Sequence, residues 1–194
     1  MGRRGLFLIS AFLLLIACSP SATIKSNLRE GYNKKLTSVY MIGRASTSGS
    51  PVFINAVFEN LKQLLSGYSI DTELHIYDPL GLDEDSIINE EIKSFHPFAV
   101  LSMVQTGQVN SMGGGGMKGG SFELSLVEPG EKAPFWKAVL ETQKPQSSFS
   151  VGPVIRNIGD EKDIGDAKMT AEKIILKFFQ DGLITNNSGT KETP

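Results

Sequence analysis

"TSVYMIGRASTSGSPVFINAVFENLKQLLSGYSIDTELHIY", residues 37–77, holds the pattern that decides the fold. In its opening segment Val39 and Met41 fall on one side of an extended chain, and Tyr40 and Ile42 on the other. A strand that is apolar on both sides needs cover on both, as inside a parallel sheet. Ser50 then offers a helix N-cap, with Pro51 at the first helical position where its missing N–H costs nothing. Phe53, Ile54, Val57, Phe58, Leu61, Leu64 and Leu65 recur at spacings of three and four, which places them on one helical stripe, and Gly67 ends it. "TELHIY", residues 72–77, reads as the next strand. Two strands joined through a helix imply parallel pairing with a right-handed crossover.

The same unit repeats outward toward the carboxyl end. Asp83 is the expected N-cap of a short helix carrying Ile87, Ile88 and Ile92, and Pro97 stops it because the residue before a proline avoids helical geometry. "FAVLSMV", residues 98–104, is again apolar on both faces and predicts a third parallel strand. Beyond it the pattern changes. Residues 121–128 alternate apolar with polar, and "FWKAVLET", residues 135–142, sets Trp136, Ala138 and Leu140 on one face. The turn Glu128-Pro129-Gly130 joins them as an antiparallel pair. A last helix over residues 166–181 carries Ala171, Ile174, Ile175 and Phe178 as its core stripe, with Gly182 closing it. The expected fold is therefore α/β, one domain over residues 37–184, with a mixed sheet in the order β-α-β-α-β-β-β-α. Its first half is parallel and its second half antiparallel. Residues 143–165, rich in Ser, Gly and Pro, read as a long loop with "SVGPVIRNI" as a short extra strand inside it.

The amino terminus carries a different message. Arg3 and Arg4 precede an apolar stretch over residues 6–16, the pattern of a basic n-region and an h-region. As a helix that stretch reaches only about 16 Å, about half the hydrocarbon thickness of a bilayer. Leu15-Ile16-Ala17-Cys18 resembles the lipobox of bacterial lipoproteins at all four positions. The resemblance implies that residues 1–17 are a signal peptide removed before Cys18, whose thiol then carries acyl chains that anchor the protein to a membrane. Cys18 is the single cysteine of the chain, which excludes an internal disulfide. Ser19 follows it where inner-membrane lipoproteins of enteric bacteria carry an aspartate, so this resemblance favours the outer membrane, facing the periplasm. Residues 18–36 are expected to form a lipidated, flexible tether, and residues 185–194 a disordered tail.

Composition narrows the classes of function. The chain has 19 basic and 21 acidic residues for a formal net charge of −2. Loss of Arg3 and Arg4 makes the balance more acidic, and nothing points to nucleic acid.

Few residues invite chemistry. Gly113, Gly116 and Gly120 belong to a glycine-rich segment with Met112, Met117 and Lys118. A phosphate-binding Walker loop needs a lysine between glycine and serine or threonine, ahead of a helix. Lys118 instead lies between Met117 and Gly119, and a strand follows. The segment reads as a long hairpin connection, with Met112 and Met117 as adaptable contacts if it binds a partner. His75 and His96 have no second ligand at zinc spacing, so neither a metal nor another cofactor is expected. His75 shares a strand face with Glu73 and Tyr77, and a Ser-His-acid set assembled from distant loops would make a hydrolase. No G-x-S-x-G elbow supplies its nucleophile. The acids Asp83, Glu84, Asp85, Glu90 and Glu91 lack the glycine and spacing of a calcium loop, and acids in a first turn complement the helix dipole. Trp136 is expected in the core.

The order of elements, the lipobox and the ending "AEKIILKFFQDGLI", residues 171–184, after a tryptophan-bearing strand resemble a group of small bacterial lipoproteins. Their domain is similar in topology to the amino-terminal domain of the periplasmic protein TolB and to the periplasmic part of the curli secretion lipoprotein. The chain departs from the TolB pattern in having no room for a propeller. The resemblance implies a membrane-anchored envelope protein that binds other proteins, and no catalytic site carries over with it. A binder of small ligands or glycans is the alternative, using the glycine-rich segment and residues 143–165. A hydrolase built on His75 is the second alternative.

Overall fold

A computed structural model of the chain describes residues 21–45, 51–78, 80–110, 117–143 and 159–185. Its elements are β1 (Ser21–Leu28), β2 (Ser38–Arg44), α1 (Pro51–Ser66), β3 (Asp71–Ile76), α2 (Glu84–Phe95), β4 (Ala99–Asn110), β5 (Met117–Val127), β6 (Trp136–Gln143) and α3 (Gly159–Gln180). The strands form one six-stranded sheet in the order β1-β6-β5-β4-β2-β3. β2 pairs in parallel with β3 and β4, while β4, β5, β6 and β1 follow one another antiparallel. The mixed α/β sheet expected from the sequence is present, parallel in its first half and antiparallel in its second.

The two sides of β2 explain the layering. Val39 and Met41 join the large core under α1 and α3, where Phe58, Leu61, Ile174 and Phe178 are fully buried. Tyr40 and Ile42 face the other way and bury Ile88 of α2 in a smaller cluster. Burying a leucine or phenylalanine contributes about 1.5–3 kcal/mol, so the α1 and α3 side carries most of the stability. Gly43 lets α1 approach closely: a Cβ there would stand 2.6 Å from Ile54 Cγ2.

Three expectations are corrected. The first is the tether. Residues 21–28 form a strand whose whole length pairs with β6, from Ser21 opposite Gln143 to Leu28 opposite Trp136. Ala22, Ile24, Ser26 and Leu28 are partly buried while Thr23, Lys25 and Asn27 are exposed, a period of two with one side against α3. Second, α3 starts at Gly159 and β6 runs through Gln143, so both ends of the expected loop are regular structure, and residues 144–158, with the proposed extra strand, lie outside the described residues. Gly159 and Gly165 hide the helix because glycine weakens the propensity signal. Third, Asp83 does not cap α2 through its side chain. It takes left-handed geometry at φ 65°, which aspartate tolerates, and its carbonyl accepts from Ser86 and Ile87 N–H. Residues 1–20, which hold the expected signal segment and Cys18, and residues 186–194 lie outside the described residues.

β1 is held at its far end by one carboxylate. Asp181, just past α3, accepts from Ser26 Oγ of β1 and from Trp136 Nε1 of β6 at 2.7 Å, and pairs with Lys177 at 3.3 Å. Burial alone raises the Asp181 pKa, but the donors Ser26, Trp136 and Lys177 outweigh it and hold the group below the ordinary aspartate value of 3.8. The unfolded chain therefore binds this proton more readily, so the contribution is complete above about pH 5 and is lost as the pH falls through 4 and below. Asp181→Asn is expected to flatten the acid limb of the stability curve, read as urea midpoint against pH. An unchanged acid limb would contradict this role for Asp181.

Candidate functional site

Directions along the sheet bring several connections to one end. β2, β3, β4 and β6 finish there, while β1 and β5 start there. The chain leaving β6 at Gln143, the chain entering β1 at Ser21 and the ladder residue Gly119 of β5 are immediate neighbours, because Gln143 pairs with both. The first turns of α1 and α2 lie at the same end. We call it the upper end. In open α/β sheets, ligands collect at the carboxyl ends of parallel strands.

The densest polar cluster sits here, between β2, β3 and α2. His75 Nε2 lies 2.8 Å from Glu84 Oε2, and Nδ1 lies 3.0 Å from Glu91 Oε2. Tyr40 Oη also donates to Glu91. Burial, followed by the accepting carboxylate of Glu91, pushes the Tyr40 phenol well above its ordinary range. Both ring nitrogens of His75 thus lie within hydrogen-bond distance of a carboxylate, one at each end of the imidazole. Helical spacing puts Glu84 and Glu91 on one side of α2, two turns apart, and β3 aims His75 between them. Their role as complements to a helix dipole is thus secondary: Glu84 grips His75, and Asp85 pairs with Arg44 at 3.2 Å.

Arg44 also stands over the Tyr77 ring at 4.6 Å. The loop after Tyr77 is tied down by hydrogen bonds from Gly81 N to Asp78 O at 3.0 Å and from Leu80 N to Asp78 Oδ1 at 2.9 Å. Asp78 N donates to Glu84 at 3.4 Å, which connects the loop to the His75 cluster. Leu80 and Leu82 nevertheless point out, each 88% exposed.

The residues singled out in the sequence fall in different places. Met112, Gly113 and Gly116 lie outside the described residues. Met117, Lys118 and Gly120 belong to β5 and not to a loop, with Gly120 buried and paired to both Gln108 and Thr142. A Cβ at Gly120 would stand 3.0 Å from the Phe122 ring, so a close approach there asks for glycine. Trp136 is 1% exposed and meets Phe178 edge-on at 5.0 Å, in the core as expected. His96 ends α2 in left-handed geometry, with its Nδ1 at 3.0 Å from Ser94 O. Among the described residues no group of three acids, histidines or cysteines is arranged to hold a metal. No serine hydroxyl is hydrogen-bonded to the His75 ring among them.

Two further concavities are shallow or small. One of about 330 Å³ lies on the open face of the antiparallel half, against Lys25, Asn27, Glu123, Lys137 and Val139. The other, about 130 Å³, lies at the lower end between Arg29, Lys34 and Glu128, beside Phe135, on which Tyr32 stacks at 4.2 Å.

No protein-family model and no curated protein matches the sequence. Among solved structures the chain is similar to the PelC dodecamer from Paraburkholderia phytofirmans, at 13% identity and a TM-score of 0.47, over 85% of this chain and 99% of that one. It is also similar to a homolog of the neuraminyllactose-binding hemagglutinin from Helicobacter pylori, at 11% identity and a TM-score of 0.36, over 80% and 91% of the two chains. At these scores nothing about ligand, partner or activity carries over.

The His75 cluster fixes α2 to the sheet. His75→Ala leaves Glu84, whose side chain is only 11% exposed, with the long contact from Asp78 N in place of the close one to the ring. The expected cost is about 1–3 kcal/mol in denaturant midpoint, with faster amide exchange confined to α2. A loss below about 0.5 kcal/mol would show that the cluster carries little of the docking.

Proposed function

We propose that this chain is a lipid-anchored protein of a bacterial envelope, and that its α/β domain acts without catalysis as a binding or scaffold module for another envelope protein. One observation carries the reading. The only cysteine closes the motif Leu15-Ile16-Ala17-Cys18, and the sheet begins at Ser21, immediately behind it. A lipobox cysteine becomes the first mature residue, and here that residue joins a folded domain almost directly. Ser19 after the cysteine favours the outer membrane, with the domain on the periplasmic side.

The short connection changes what the anchor does. Three residues of chain from Cys18 to Ser21 extend at most about 10 Å, less than half the reach of a free tether over residues 18–36. The domain is held against the bilayer. No helix among the described residues is long and apolar enough to cross a membrane. In this reading the acyl chains supply the attachment. A non-catalytic role is supported by His75, whose two nitrogens are both committed to carboxylates of α2.

Growth with an alkyne-bearing palmitate analogue tests the reading. The full-length chain is expected to take up the label, and Cys18→Ala to take up none. An unlabelled wild-type chain would overturn the proposal.

A further inference from the structure

We infer that the upper end of the domain is a lipid-contacting surface, and that Leu80 and Leu82 form a second contact with the bilayer beside the anchor. This rests on the acylation of Cys18 proposed above, and it adds an orientation that acylation alone does not fix.

The first argument is where the chain leaves the described domain. β1 enters the sheet at the upper end, so acyl chains on Cys18 draw that end to the membrane and leave the turn between β5 and β6 at the lower end, farthest away. The second argument is independent of the anchor. Six large apolar side chains are strongly exposed among the described residues: Val52, Leu80, Leu82, Ile87, Val139 and Leu176. Four of them sit at the upper end. Val52 is in the first turn of α1, Ile87 in the first turns of α2, and Leu80 and Leu82 in the loop that joins β3 to α2.

Leu80 and Leu82 are the most exposed of the set, and their loop is braced rather than loose. Asp78 accepts from both Leu80 N and Gly81 N, and Glu84, which receives Asp78 N, is itself held by His75. A protein that only needed to close the link from β3 to α2 would gain by turning these leucines inward, since each fully buried leucine is favourable by a few kT or more. Exposure of two leucines two residues apart on a braced loop matches insertion of that loop into the interfacial region of a bilayer. Just behind them Arg44 lies over Tyr77, a pair with apolar bodies and polar tips suited to headgroup depth.

Position makes the two contacts complementary. β1 and β3 are the opposite edges of the sheet, five strand spacings apart, about 24 Å. Twist splays the two edges but leaves both at the same end. Acyl chains at one edge and leucines at the other hold the domain at two points, whereas an anchor alone lets it swing. The local charge selects the kind of surface. Asp83 and Asp85 are exposed acids here, and Arg44 pairs with Asp85, so the surface suits a leaflet rich in zwitterionic phosphatidylethanolamine better than a strongly anionic one.

The test uses the full acylated chain in phosphatidylethanolamine-rich vesicles whose acyl chains carry bromine, a fluorescence quencher. A tryptophan is placed by Leu82→Trp in one variant and by Lys132→Trp, at the lower end, in another. Both sites are exposed, and the native Trp136 is buried at 1% exposure, so it supplies a constant background. The proposal expects the added emission of Leu82→Trp to fall by about twofold or more, and that of Lys132→Trp to stay unchanged. Acylated Leu82→Trp that is not quenched overturns the inference, as does quenching of Lys132→Trp in its place. Shielding of Leu82→Trp by added envelope proteins, without quenching by lipid, would make the leucines a protein contact and equally overturn it. The mass of the Cys18 peptide from the same sample separates the two levels: an unacylated cysteine removes the anchor and this inference together, while an acylated one with an unquenched probe removes this inference alone.

Discussion

Pairing of β1 with β6 is the constraint on which the rest of the molecule depends. Eight residues of β1 lie in continuous register with β6, and this turns the segment after Cys18 from a spacer into the edge of the sheet. Asp181 locks the lower part of the pair by accepting from Ser26 and Trp136, and Lys173 of α3 donates to the carbonyl of Ala22 in the upper part. Both ties come from α3 or the residue just beyond it. The last helix thus holds the first strand, and the two termini of the domain stabilise each other. A free edge strand invites pairing with other chains, and the exposed Lys25 in its middle opposes that.

From this edge the layers follow. Strands buried on both faces need two covers, and the chain supplies them unequally. α1 and α3 together roof the large core, whereas α2 alone covers Tyr40 and Ile42, with one fully enclosed residue of its own, Ile88. A helix with so narrow an apolar stripe is held by something else as well, and the His75, Glu84, Glu91 and Tyr40 cluster provides it. The same cluster reaches through Glu84 to Asp78 and so braces the loop that presents Leu80 and Leu82. In this setting His75 joins a helix, a sheet and a loop. The antiparallel half of the sheet needs no second cover, since its outer face carries Lys137, Glu123 and Thr23.

Much of this was legible in the sequence wherever the information is local. The two-sided apolar strands, the stripe of α1 and the alternation in β5 and β6 each specify their element and which side is buried, and the helical crossovers specify parallel pairing. What escaped depends on distant partners. β1 shows a period of two in Ala22, Ile24, Ser26 and Leu28, but two of these are small or polar, and only α3 makes that side an interior. Glycines at 119 and 120 suggest a loop until their place in a ladder between β4 and β6 is known. His75 shows no partner at close sequence spacing because its acids arrive from α2 across a turn. Asp83 has the right identity for a cap, but the backbone takes the one left-handed conformation that aspartate accepts readily. The exposed leucines look ordinary in sequence, and become informative only when the topology brings them to the end where β1 begins.

Hydrogen exchange across residues 21–28 in the folded chain tests the central claim most directly. If β1 is the sheet edge, the amides that face β6 exchange slowly, in step with those of β6 itself, while the alternate amides on the free side exchange faster. Rapid, uniform exchange over the whole segment, like that of an unstructured chain, would make it a tether and contradict the orientation proposed from it.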